Sequence, residues 1–234
     1  MTNVDMHNLD WTDIAANLDR EGYALLTGLL DAQQIDELSN ALQARPPQFE
    51  ASLPGLIPGQ GERRVWPADV SDTCGNWTAM LHEHLAPIAL RWRQFMAPGA
   101  ANQVNDAQSL RDTTSRQGRV TLMSHCSGDF QLLQQDADAD AGFPIQLVIL
   151  LSDPVSDFTG GEFVMVEQRP RMQSRPIVLP LRKGDAALIC ASKRPFQGAN
   201  GFYRVNMKHA ISRVHSGVRN SVEVRFSALA EPMP

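Results

Sequence analysis

This chain has no surplus of basic residues, no paired cysteines and no long apolar run. Its 21 Lys and Arg face 26 Asp and Glu, for a net charge of −5 with histidine neutral. A surface that grips phosphates needs clustered Lys and Arg, so the acidic balance disfavours a nucleic-acid partner. The three cysteines, Cys74, Cys126 and Cys190, stand far apart and form no CxxC pair. Neither a disulfide framework nor a zinc-thiolate site is indicated. Apolar runs such as Leu147 to Leu151 are short, far below the ~20 residues that span a bilayer. The start, from Met1 to Asn8, lacks a basic segment followed by an apolar one, so no signal peptide is visible. The expectation is a cytoplasmic protein that does not enter membranes. Histidine is scarce too: a metal enzyme of this size would draw its imidazoles from six.

What is present suits one domain of 234 residues, long enough to bury a sizeable core. The first half reads as mainly helical. Thr12 or Asp13 caps a short helix that Gly22 stops. Tyr23–Thr27 is a brief strand, and Asp31-Ala-Gln-Gln34 is a capping box opening a second helix. The Pro- and Gly-rich stretch from Pro46 to Gly61 reads as a loop, and Ser52–Val70 as a cover for the pocket mouth. Trp77–Phe95 is a long helix that Pro87 kinks or divides, and Asn105–Arg116 is another helix candidate. The second half alternates instead. Arg119–His125, Ile145–Leu151, Glu162–Glu167, Ile177–Leu179, Ala186–Cys190, Tyr203–His209 and Ser221–Phe226 read as strands separated by turns. Many short strands at regular spacing predict a sandwich or barrel. Residues 1–117 form the helical support and lid, and 118–230 the β core.

The chemistry-bearing residues lie in the β half. His209 ends a strand, Ser216-Gly217 turns, and Arg219 stands on the next strand, so both can face one cavity. Imidazole binds a divalent metal, and guanidinium clamps a carboxylate in a bidentate fork. Gln134 and Asp136 alternate along one strand and so project to one side. Asp136 is a hard oxygen ligand. His82, His84 and His7 read as non-functional, and His215 as a surface residue. Arg169, Arg171 and Arg175 line a basic loop with a role in the fold or at the pocket rim.

Several segments together carry a resemblance. They are Gly128-Asp-Phe130, Gln134-Gln-Asp136, Phe143 to Asp153, Asp157 to Phe163, Glu167 to Arg175, Arg182 to Ala186, Arg194 to Gly198, and Tyr203 through His209 to Arg219. In order and spacing the chain resembles the Fe(II)- and 2-oxoglutarate-dependent oxygenases, in their bacterial, prolyl-hydroxylase-like branch. The resemblance implies a double-stranded β-helix, or jelly roll, with N-terminal helices packed on it. It implies Fe(II) held by a His-x-Asp pair and a distant His, with 2-oxoglutarate chelating the metal. Asp136 matches the carboxylate, His209 the distal histidine, and Arg219 the anchor of the co-substrate's far carboxylate. Ser221 or Thr121 adds a hydroxyl there. The implied substrate is a small molecule, amino-acid-like in character.

The chain departs from that pattern at two positions. The first metal position holds Gln134, whose neutral amide oxygen is a poorer ligand than imidazole. Relatives place a tyrosine at position 125, and this chain has His125. The third ligand is therefore either Gln134 or His125 supplied from the adjacent strand. The alternative is an inactive or repurposed relative that binds a carboxylate ligand or a partner, or runs non-redox chemistry. Arg219 and Arg225, six apart on one strand, also resemble the AlkB-type nucleic-acid demethylases, which makes that activity a minor alternative.

Overall fold

A computed structural model of the chain describes residues 9–44, 48–51, 62–67, 71–96, 119–136 and 143–226. The helix candidate at Asn105–Arg116 and most of the cover segment at Ser52–Val70 lie outside them.

Helix α1 spans Trp11–Glu21. Its cap is Asp10 rather than Thr12 or Asp13: the Asp10 carboxylate accepts from the backbone N–H groups of both, at 3.0 Å each. That satisfies two orphan donors of the first turn. Gly22 ends the helix in the left-handed region, at φ 80°. Strand β1 follows at Tyr23–Leu26, then α2 at Ala32–Ala44. The capping box is real, with Asp31 N–H on Gln34 Oε1 at 2.9 Å and Gln34 N–H on Asp31 Oδ1 at 2.8 Å. The stretch read as a loop contains a strand, β2 (Gln48–Ala51), paired with β3 (Glu62–Pro67). Helix α3 runs through Pro87 without dividing, from Ser71 to Met96. No helix among the described residues is long and apolar enough to cross a membrane.

The remaining strands are β4 (Arg119–Cys126), β5 (Gln131–Gln134), β6 (Ile145–Leu150), β7 (Phe158–Gly160), β8 (Phe163–Gln168), β9 (Arg175–Leu179), β10 (Ala186–Cys190), β11 (Lys193–Gly198), β12 (Gly201–Ile211) and β13 (Val214–Arg225). They form two antiparallel sheets. The larger has the order β1-β10-β6-β13-β4-β3-β2, with β7 on the start of β13. The smaller runs β11-β12-β8-β9, with β5 on β12. Strands from the N-terminal half thus extend the large sheet at both edges. β6 and β10 are buried at every position, as central strands covered on both faces must be. The turn after His209 falls at Ser212-Arg213, not at Ser216-Gly217, which lies inside β13. Gly217 holds φ 78°, and a Cβ there would meet the Asp157 carbonyl oxygen at 2.0 Å. Glycine is required because β7 and β13 approach so closely.

One ionic cluster ties α1 to the small sheet. Glu167 on β8 accepts a hydrogen bond from Arg194 on β11, both almost fully buried. Arg194 also donates to the Asp19 and Arg20 carbonyls at the end of α1, at 2.8 and 3.1 Å. Arg169 and Arg175 reach the same Glu167, at 2.7 and 3.7 Å. Two arginines of the basic loop are therefore occupied within the fold.

Candidate functional site

The site lies between the sheets, where inward residues of β12 and β5 face those of β13 and β6. Along β12 the burial alternates, and His209 belongs to the buried set. Its register partner on β5 is Gln134. A register shift between His209 and Ile211 lets Gln131 oppose Ile211, so both glutamines stand close to the histidine's face. The His209 ring lies parallel to Phe163, with centroids 5.9 Å apart and planes at 10°. Its Nε2 is approached by two carboxamides: Gln134 Nε2 at 3.5 Å and Gln146 Nε2 at 3.4 Å. Gln146 sits on β6 in the opposite sheet and is 1% exposed.

On β13, Arg219, Ser221 and Glu223 alternate onto the inner face and line one pocket with His209, Gln131 and Phe163. Arg219 and His209 thus share a cavity, but across the sandwich rather than on neighbouring strands of one sheet. Arg219 donates from Nε to the Gly161 carbonyl at 2.8 Å and from Nη1 to Ser221 Oγ at 2.9 Å. It is 2% exposed, and no carboxylate among the described residues pairs with it. Burial pushes its pKa down to about 10, because desolvation penalises the charged form. At neutral pH the guanidinium is still charged. Among the described residues only neutral acceptors hold this cation, so an anion placed beside it would offset its desolvation.

Asp136 follows β5 two residues after Gln134. Its N–H donates to the Ala191 carbonyl at 3.0 Å, and its carboxylate faces Arg225 Nη1 at 3.6 Å. Arg225 also pairs with Glu223 at 2.6 Å. His125 is fully buried on β4 in register with Arg219, so their side chains leave the sheet on one face. Among the described residues, no three His, Cys, Asp or Glu side chains converge as metal ligands. Of the remaining histidines, His82 packs on Phe143 and His84 stacks on Trp11, while His215 is exposed.

Three residues at the site went unread in the sequence. Gln146 was absorbed into an apolar strand, although a lone amide in a strand buried on both faces is itself a signal. Glu223 and Gln131 carried no signal, because only the strand register turns them inward.

A family model described as "Oxygenase, catalysing oxidative methylation of damaged DNA" matches residues 61–228, well over half of the chain. The chain belongs to this oxygenase family. An uncharacterized protein of Mycobacterium tuberculosis is 31% identical over 193 residues, covering 80% of this chain and 83% of the relative. Among solved structures, a Burkholderia pseudomallei oxidoreductase of the 2OG-Fe(II) oxygenase family aligns with a TM-score of 0.58 at 16% identity, over 97% of this chain and 96% of that one. A Pseudomonas putida prolyl-4-hydroxylase aligns with a TM-score of 0.57 at 12% identity, over 93% and 98%. The oxygenase-family member therefore has the double-stranded β-helix fold of these enzymes.

That fold implies iron and 2-oxoglutarate, and the residues present fit the two unequally. A carboxylate fits Arg219, which is buried, charged and unmatched by an acid. An iron ion does not fit the donor set. Around His209 Nε2 stand two neutral carboxamides, and the carboxylates of Asp136 and Glu223 both pair with Arg225. Fe(II) sites of this type use two imidazoles and a carboxylate, a set these side chains do not supply.

Proposed function

We propose that this oxygenase-family protein binds a dicarboxylate of the 2-oxoglutarate class in the pocket between its sheets. Arg219 clamps one carboxylate, with Ser221 as a second donor, and His209 and Gln134 meet the other end. Asp136, Gln134 and His209 occupy the positions that would hold a metal, in a form weakened by Gln134. The observation that carries the reading is the buried, charged Arg219 without an acidic partner. Neutralising it with an anion removes a desolvation penalty of several kcal/mol. The net charge of −5 favours a small, amino-acid-like partner molecule over a nucleic acid.

Titration calorimetry with 2-oxoglutarate tests this. Binding at one site per chain is expected, and Arg219→Met should weaken it at least about a hundredfold. Equal affinity in the variant would sink the assignment. Succinate formation measured with Fe(II) should be weak, because Gln134 replaces an imidazole.

A second reading is favoured by the family description, which names damaged DNA. Arg219 and Arg225, six apart on β13, also resemble the paired arginines of the nucleic-acid demethylases. Release of formaldehyde from methylated oligonucleotides, absent with amino-acid-like substrates, would select it over the small-molecule reading.

A further inference from the structure

We infer that the pocket takes its dicarboxylate without a metal, and prefers one carrying an O–H or N–H donor beside the near carboxylate. This rests on the carboxylate reading of Arg219 given above. In a metal-chelating site the ligand's near end is chosen for its two oxygen donors: a carboxylate and a keto group. Here the atoms that meet the near end are carboxamides. Gln134 and Gln146 each bring an amide nitrogen to within 3.5 Å of His209 Nε2, so protein N–H groups stand where a metal would receive electron pairs.

The decisive feature is a pair of buried acceptors left without a donor. Gln146 Oε1 and Gln131 Oε1 have no hydrogen-bond partner among the described residues. Gln146 is 1% exposed and Gln131 is 6% exposed. Gln131 lines the pocket with Arg219 and Ser221, and Gln146 reaches His209 from the facing sheet. A buried acceptor without a donor carries the full desolvation penalty of its carbonyl. A 2-oxo acid brings only acceptors to this place and leaves both unsatisfied. A 2-hydroxy or 2-amino dicarboxylate brings the same two carboxylates plus the missing donor. A site built around a polar group discriminates strongly against ligands that lack its partner.

Calorimetry on the full chain tests this with three probes: 2-oxoglutarate, 2-hydroxyglutarate and glutamate, each with EDTA and with Mn(II). All three should bind in EDTA. The hydroxy or amino acid should bind at least about tenfold more tightly than the 2-oxo acid, and Mn(II) should change each Kd by less than about twofold. Gln146→Leu, close in volume, should erase the preference while Arg219-dependent binding persists. Tighter binding of 2-oxoglutarate, or binding that needs Mn(II), would overturn the inference while leaving the Arg219 anchor intact. Binding that ignores Arg219→Met would instead remove the anchor reading itself.

Discussion

Gly161, within the β7–β8 turn, holds Arg219 in place. Its carbonyl accepts from Arg219 Nε at 2.8 Å. Its own φ is 64°, and a Cβ there would lie 3.0 Å from both Arg219 Cδ and Val214 Cγ2. Gly161→Ala therefore strains the turn and pushes on the arginine stem at once. The expected result is a drop in 2-oxoglutarate affinity of about tenfold, with a stability loss of about 1–2 kcal/mol. A loss of stability with unchanged affinity would show that the arginine is positioned by Ser221 alone.

Arg219 sets a pH dependence whose sign follows from its lowered pKa. The folded pKa, about 10, lies below that of an unfolded arginine. Below pH 10 the buried charge opposes folding, and this opposition is relieved as pH climbs through the folded pKa. Ligand binding runs the other way, because the anion needs the charge. Thermal stabilisation by a dicarboxylate should be constant between about pH 6 and 9 and fall as pH rises through about 10. A decline already under way near pH 6.5 would point to a histidine instead.

Gln134→His restores an imidazole opposite His209. Manganese binding followed by paramagnetic resonance should rise at least about tenfold over the native chain. Gln134→Glu, which supplies an anionic oxygen, should produce a smaller gain in the same assay. An unchanged manganese affinity in both variants would show that position 134 does not face the metal position.

Glu167 and Arg194 form an ion pair with almost no solvent contact. Removing one member leaves the other buried and uncompensated. Glu167→Gln should destabilise the protein by about 3–5 kcal/mol in urea unfolding. Since Arg194 holds the α1 C-terminus through two carbonyls, hydrogen exchange should accelerate first in α1. Uniform acceleration across the chain would show that the cluster does not anchor that helix.

Much of the fold was legible in the sequence, for identifiable reasons. β10 was read with its true ends, Ala186 and Cys190, because a run of apolar residues between turn signals leaves little freedom. The Asp31–Gln34 capping box was equally readable, being a local hydrogen-bond pattern. The cap of α1 was misplaced because Asp10, Thr12 and Asp13 are all competent caps and only the backbone geometry chooses among them. β2 was missed because its pairing with β3 is a long-range event that Pro- and Gly-rich flanks conceal.

The sequence by itself determined the chemistry available: an arginine and a histidine ten residues apart, and a glutamine, Gln134, two residues before Asp136. Residue type is fixed by the chain. Only the tertiary structure decided which groups meet. Strand register turned Glu223, Gln131 and Gln146 inward and set Asp136 against Arg225. It placed His209 and Arg219 on opposite sheets around one cavity. A strand has two faces and any of several partners, and the choice between them is made by packing across the whole sandwich.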